Sequence, residues 1–359
     1  MGAGAMTGET FWPEADLERV PACPVCGSQA RTLLHDRLRD LAFGVAPGEW
    51  TLWSCGACRS AYLDPRPTEA SIGRAYESYY THAAPAAPEP GAQGGLRSFV
   101  RSLANGYRNA RYRARSAPAS ALGALLGPVA PPFRGPIDAE FRFLGPMPTG
   151  KPPRVLDVGC GDGAWIARVR TLGWDAVGND PDPKVVESAA LRGLEVRAGG
   201  IGAWNDAAGT FDAVSMSHVI EHLHDPLDAL ARALALLRPG GFLYLETPNI
   251  DAFGAAEYGR AWRGLEPPRH LVLFNRASLS GAVRRAGFDD VRFYAKRSVH
   301  PHLRMASETL AARLRGEDPT SKPAPPRLRF RERLRARTTS DRTEFLTLTA
   351  RKPGGKAGG

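Results

Sequence analysis

The stretch RVLDVGCGDGAWIARV, residues 154–169, limits the possible folds of this chain more than any other. Val155, Leu156 and Val158 form a short apolar run of the kind buried in a sheet, and Trp165, Ile166, Val169 and Leu172 recur at helical spacing after the glycines. The stretch is therefore strand, tight turn, helix. Gly159, Gly161 and Ala164 satisfy the dinucleotide pattern G-x-G-x-x-G/A, in which loop N–H groups and a helix N-terminus hold a pyrophosphate. Asp157 and Asp162 oppose that reading, because each carboxylate repels a doubly negative ligand. A cofactor with an ammonium, a sulfonium and no phosphate suits the same loop: glycines allow close backbone approach and the carboxylates meet positive charge. Asp180, about twenty residues beyond the loop, falls where a second parallel strand should end and can accept both hydroxyls of a ribose.

Beyond the loop, strands expected near residues 154–158, 175–179, 194–197, 211–216 and 241–247 alternate with helices, the pattern of an α/β fold with a parallel sheet covered on both faces. The helix from Pro226 has Asp225 as its N-cap and ends at RPGG. S-adenosylmethionine has the cofactor chemistry inferred above. The loop, together with FDAVSMSHVIEHLHDP, LLRPGGFLYLETPN and EPPRHLVLFNRASLSGAVRRAGF, resembles the class I S-adenosylmethionine-dependent methyltransferases over roughly residues 150–295 and again at 344–352. It looks most like the branch that acts on small molecules such as sugars, quinones and natural products. The resemblance implies a Rossmann-like seven-stranded sheet whose last two strands, DDVRFYAK and TEFLTLTARK, form an antiparallel edge. It places Asp157, Gly159, Cys160, Gly161 and Gly163 around the methionine end of the cofactor, Asp180 on its ribose, and Ser217 and His218 beside it after the fourth strand. One departure concerns adenine. Gly199 and Gly200 stand where the family often has an acidic residue, which leaves Ile201 and Asp206 as the candidates.

Four of the five cysteines form two C-x-x-C pairs, Cys23 with Cys26 and Cys55 with Cys58. Two such knuckles complete a four-thiolate zinc site, structural because no coordination position stays open. The long gap between the pairs is filled by a β-hairpin that includes EWTLWSC. Cys160 reads as a small residue filling a tight turn. The expected organisation is a zinc-binding ribbon at residues 20–66, a helical, Pro- and Gly-rich linker region at 67–153, and a methyltransferase domain at 154–352. Within that domain, residues 299–341 are an insertion expected to be partly flexible.

Methyl transfer from a sulfonium is an in-line displacement, so the protein has to align the nucleophile, exclude water and often remove a proton. His270, on a loop stiffened by Pro267 and Pro268, is the expected base, with His222 and Glu221 of HVIEH as the second group of catalytic candidates. EPPRH also resembles a segment which in sugar C-methyltransferases carries an adjacent Glu-His pair, although here Pro267, Pro268 and Arg269 separate Glu266 from His270. HVIEH matches the inverted zinc-protease pattern H-x-x-E-H as well, but it follows a strand of a cofactor-binding sheet, which is the wrong scaffold for that chemistry.

A net charge of +10 points to an anionic partner, and the excess lies mainly in residues 96–116 and 327–342. No apolar run approaches the ~18 residues of a membrane span, and the N-terminus lacks a basic flank before an apolar core, so a cytoplasmic protein is expected. The leading reading is methylation of an oxygen or carbon of a small, anionic metabolite: a sugar nucleotide, a polysaccharide precursor or a natural product. An RNA methyltransferase using the ribbon and the basic segments is the alternative, and peripheral membrane contact through residues 96–116 is a further possible use of the charge. A cofactor-dependent scaffold ranks third and an NAD(P) dehydrogenase last.

Overall fold

The computed structural model describes residues 11–76, 95–145, 150–294, 300–317 and 340–354. Nearly all of the Pro/Ala/Gly segment 83–95, and most of the Pro-rich stretch 316–327 and the basic segment 327–342, lie outside the described residues. The chain divides into two compact units, one of Met1–Tyr80, His218–Ala231 and Leu245–Leu348, the other of Thr81–Ser217, Arg232–Tyr244 and Thr349–Gly359.

In the first unit, strands β1 (Leu17–Glu18) and β5 (Arg66–Pro67) pair antiparallel. Strands β2 (Arg31–Leu38), β3 (Trp50–Cys55) and β4 (Ala61–Leu63) form an antiparallel ribbon, in which β2 and β3 are the hairpin between the two cysteine pairs. Alternation along β3 turns Trp50 and Leu52 inward, each 2% exposed, as a pleated strand with one buried face requires. The ribbon is not closed on itself. Strand β11 (Val272–Leu273), which directly follows the EPPRHL loop, adds to β4 as a fourth strand.

The main sheet contains β6 (Arg154–Val158), β7 (Asp175–Asp180), β8 (Val196–Ala198), β9 (Phe211–Ser217), β10 (Leu237–Pro248), β12 (Asp289–Tyr294) and β13 (Phe345–Arg351). They hydrogen-bond in the order β12-β13-β10-β9-β6-β7-β8, and β6 runs parallel to both β7 and β9, as β7 does to β8. This is the seven-stranded α/β sheet expected, with its strand order reversing direction at β6 and β9. Helices α4 (Ala164–Arg170), α5 (Pro183–Leu191), α6 (Pro226–Leu236), α7 (Phe253–Tyr258) and α8 (Arg276–Arg285) alternate with the strands. Asp225 caps α6 as anticipated, its Oδ1 accepting from the N–H groups of Leu227 and Asp228.

Two stretches carry helices outside the alternation of the main sheet. Residues 117–153 hold two helices, α2 (Ala121–Val129) and α3 (Pro131–Glu140), packed with α1 (Leu96–Tyr112). Glycine there makes close helix contact and not a flexible linker: a Cβ on Gly123 would lie 1.9 Å from the Leu103 carbonyl oxygen. Within the insertion, residues 300–314 form helix α9 (His300–Leu314), which carries Ser307 and Glu308 against the loop at residues 258–263.

Candidate functional site

The glycine loop lies in the second unit. Gly159, Gly161 and Gly163 have φ of 63°, 54° and 68°, left-handed conformations that explain three glycines at alternate positions. Asp180, at the end of β7, receives the Gly161 N–H on Oδ2 at 2.9 Å and the Asp182 N–H on Oδ1 at 3.0 Å. Its carboxylate is thus oriented by backbone N–H groups at the end of β7. Asp162 caps the start of α4 through the Ala164 N–H. Three carboxylates around one glycine loop fit a positively charged cofactor and not a pyrophosphate.

Asp157 is 2% exposed and forms an ion pair with Arg142, which also donates to Ser215 Oγ at 2.6 Å and lies over the Trp165 ring at 4.0 Å. Burial pushes the Asp157 carboxyl above the usual carboxylate range, and Arg142 offsets only part of that rise. No motif pointed to Arg142, since it lies outside the loop and has a left-handed φ of 50°. Cys160 is buried, with burial pushing its thiol well above the ordinary range, and a Cβ on Gly178 would lie 2.9 Å from its Sγ. The side chain fills the turn and is no nucleophile. Asp206 pairs with Arg197 at 2.6 Å, and Arg197 lies over the Trp204 ring. Ser217 ends β9, half-buried.

The histidines lie in the first unit. Residues 220–222 form a single 3-10 turn, and His218, with φ of 58°, lies outside it. HVIEH is therefore not the helix that a zinc-protease motif needs. His218 lies 3.3 Å from both Glu221 and Glu246; burial opposes its charge, but the two carboxylates win and raise it to about 9. Glu221 is fully buried and accepts from Thr247 Oγ1 at 2.9 Å. Its carboxyl is held low against burial, chiefly by the hydrogen bond from His218.

His222 Nδ1 is 3.0 Å from the Arg269 carbonyl oxygen and 2.9 Å from the Tyr76 hydroxyl. His270 Nδ1 is 2.8 Å from the Gly264 carbonyl oxygen. Since carbonyls only accept, both rings carry the proton on Nδ1 and keep a lone pair on Nε2. The rings meet edge to face with centroids 4.7 Å apart. One donor atom from each of Glu221, His222 and His270 lies within 4.8 Å of the other two, a set able to hold a cation. The loop also reunites the separated pair, placing Glu266 Oε2 3.8 Å from His270 Nε2. Arg269, the residue before His270, is fully buried and paired with Asp40 at 2.7 Å. Tyr76 was visible only as one tyrosine of a Tyr-rich stretch.

The four cysteines converge in the same unit, with Sγ atoms of Cys23 and Cys58 3.7 Å apart and those of Cys26 and Cys55 3.5 Å apart. A tetrahedral zinc with ~2.3 Å bonds needs sulfurs about 3.8 Å apart, so the cluster fits the ion. The ribbon is tied to α8: Asn275 Nδ2 donates to the Cys58 carbonyl at 2.9 Å and Arg285 to that of Val25 at 2.5 Å.

The family model described as "Methyltransferase domain" matches residues 134–292. The chain is 35% identical over 171 residues to a ubiquinone biosynthesis O-methyltransferase of Xanthomonas axonopodis pv. citri, covering 44% of this chain and 72% of the relative. It is 34% identical over 150 residues to the protein of the same name from Cereibacter sphaeroides, covering 38% and 61%. The chain spans about half to three-fifths of the first such relatives, 48% of the Xanthomonas campestris protein and 61% of the Cereibacter one. Among solved structures it is similar to phosphoethanolamine N-methyltransferase 2 of Haemonchus contortus, with 13% identity, a TM-score of 0.42, and coverage of 85% of this chain and 63% of that one.

Proposed function

Because this chain belongs to the class I S-adenosylmethionine-dependent methyltransferases, we propose that it methylates an oxygen, or an activated carbon, of a small molecule, with His222 taking the proton. The bound cofactor supplies the electrophilic methyl on its sulfonium. Asp180 holds the ribose hydroxyls, the glycine backbone admits the methionine end, and Asp162 on the same loop complements its positive charge. Four thiolates hold a structural zinc in the ribbon.

The observation that carries the proton step is the pair of imidazoles packed edge to face, each with Nδ1 on a backbone carbonyl. Expectation favoured His270, but burial, followed by the neighbouring His222, lowers it to about 3. An imidazole that resists protonation is a poor proton acceptor. His222 is less buried than His270 and has the fully buried Glu221 beside it. Tyr76 and the Arg269 carbonyl fix its tautomer; His270 packs on the ring and positions it. An oxygen acceptor is favoured by the O-methyltransferase names of the relatives. The charge that suggested an anionic acceptor lies mainly in residues 96–116 and 327–342, outside the histidine-bearing segments.

Turnover on a panel of phenols, quinols and nucleotide sugars tests the proposal. His222→Ala should retain cofactor affinity and lose ~10²–10⁴-fold in rate, the usual contribution of a positioned base. Unchanged turnover in His222→Ala, with a loss confined to His270→Ala, returns the role to His270.

A further inference from the structure

Helix α2 presents the wrong face to water. Gly123 and Gly127 are its contact side: an added Cβ would meet the Leu103 carbonyl oxygen of α1 at 1.9 Å and the Tyr107 ring at 2.0 Å. The opposite side carries Leu122, Leu125, Leu126 and Val129, exposed to 53%, 71%, 48% and 76%. The first turn of α1 adds Leu96, Phe99 and Val100, at 77%, 52% and 49%. Seven of the twelve large apolar side chains exposed among the described residues thus lie on one helical hairpin, which is a patch and not scatter. Small residues spaced G-x-x-x-G inward and leucines outward is the arrangement helices adopt in lipid.

The charge on the hairpin has one sign. Residues 96–129 contain six arginines and no Asp, Glu or Lys. Arg108 is neutralised by Glu140 from α3, whereas Arg97, Arg101, Arg113 and Arg115 are exposed and, among the described residues, pair with no carboxylate. At 1.5 Å per residue, α1 and α2 are about 26 and 14 Å long, short of the ~30 Å hydrocarbon core. Among the described residues no helix is long and apolar enough to cross a membrane.

We propose that the α1–α2 hairpin is a docking surface for an anionic lipid bilayer, lying in the interface with its leucines toward the acyl chains and its arginines at the headgroups. Arginine stems reach along apolar surface while the guanidinium stays at the polar level. A nucleic acid would use the arginines but not the seven apolar side chains. A second copy seated on this face would bring two surfaces of the same strong positive charge together.

Co-sedimentation of the full chain with vesicles tests this. Binding should be strong on mixed phosphatidylcholine–phosphatidylglycerol vesicles, weak on phosphatidylcholine alone, and reduced by salt. Leu125→Glu with Leu126→Glu should weaken it by tenfold or more, since a buried leucine is worth ~1.5–3 kcal/mol. Arg97→Ala with Arg101→Ala, which leaves the apolar face intact, should weaken it about fivefold per arginine. Unchanged S-adenosylhomocysteine affinity in each variant reports an intact fold. Three results overturn the proposal: vesicle binding indifferent to both double variants, a dimer in sedimentation that the leucine variant dissolves, or tight RNA binding that survives the leucine variant and is lost in the arginine one.

Discussion

The glycine loop and the histidine cluster are built in opposite ways. The loop is local: Gly159, Gly161 and Gly163 follow one another on one turn, and its partner Asp180 ends the next parallel strand. The cluster is assembled from four places in the chain, with Tyr76 behind the ribbon, Glu221 and His222 after β9, Thr247 at the end of β10, and His270 on the loop before β11. A local site survives rearrangement elsewhere. A distributed one depends on every element that carries a member, and β11 is itself a strand of the ribbon sheet. The cysteine ribbon therefore shares a sheet with the segment that leads out of the His270 loop, and the glycine loop does not.

The largest expected effect tests that dependence. Cys55→Ser removes one thiolate from the four-cysteine cluster, and a structural zinc at such a cluster contributes ~10–16 kcal/mol of folding energy in small modules. Elemental analysis should find one zinc per wild-type chain and little in the variant. Loss of the ribbon frees β4 from β11 and with it the segment that holds His270 against His222. Turnover should collapse, while S-adenosylhomocysteine affinity at the loop stays within about threefold of wild type, ~0.7 kcal/mol. Parallel loss of both would show that the two sites are one cooperative structure and would break the comparison.

Asp180→Ala is the converse and smaller perturbation. It removes the carboxylate that the Gly161 and Asp182 N–H groups orient. Lost charge-assisted hydrogen bonds to the ribose cost on the order of 1.5–3 kcal/mol, roughly ten- to a hundred-fold in cofactor affinity. Zinc content and the thermal transition of the ribbon should not move. Calorimetry showing an unchanged dissociation constant for S-adenosylmethionine would remove Asp180 from the cofactor site.

The same contrast explains what could be read from the sequence. Strand, glycine turn and helix are short-range facts, and the five parallel-sheet strands fell within a few residues of where periodicity put them; β10 begins earlier, at Leu237, because Pro239 and Gly240 cannot extend α6. The cysteine pairs were legible for a similar reason, since spacing alone defines a knuckle. Arg142 was not, because its role depends on a chain reversal that carries it to the buried Asp157 from outside the motif. Tyr76 and Glu266 were missed as partners because their distances to His222 and His270 are tertiary. The helix contacts made by Gly123 and Gly127 were not legible, because composition does not distinguish a glycine that bends the chain from one that lets two helices touch.

The smallest expected effect concerns His218, which stands between Glu221 and Glu246 at 3.3 Å from each. Its folded-state value is raised to about 9, above the ~6.5 of an unfolded histidine. A raised value means that the folded state binds the proton more tightly, so the stabilisation is fully present below about pH 6.5 and is lost as pH rises through about 9. The side chain is 41% exposed, and solvent screening reduces the contribution to under about 1 kcal/mol. Wild-type stability, followed by urea denaturation, should therefore decline between pH 6.5 and 9 relative to His218→Gln, which has no proton to lose there. Raised salt should flatten the difference only partly, because Glu221 is fully buried. S-adenosylmethionine affinity of the variant, compared at pH 6.5 and pH 9, then decides whether this histidine serves the cofactor, as its position after β9 suggested, or only the folding of the cluster's own carboxylates. Equal affinity at both pH values, together with the stability difference, assigns it to the distributed site.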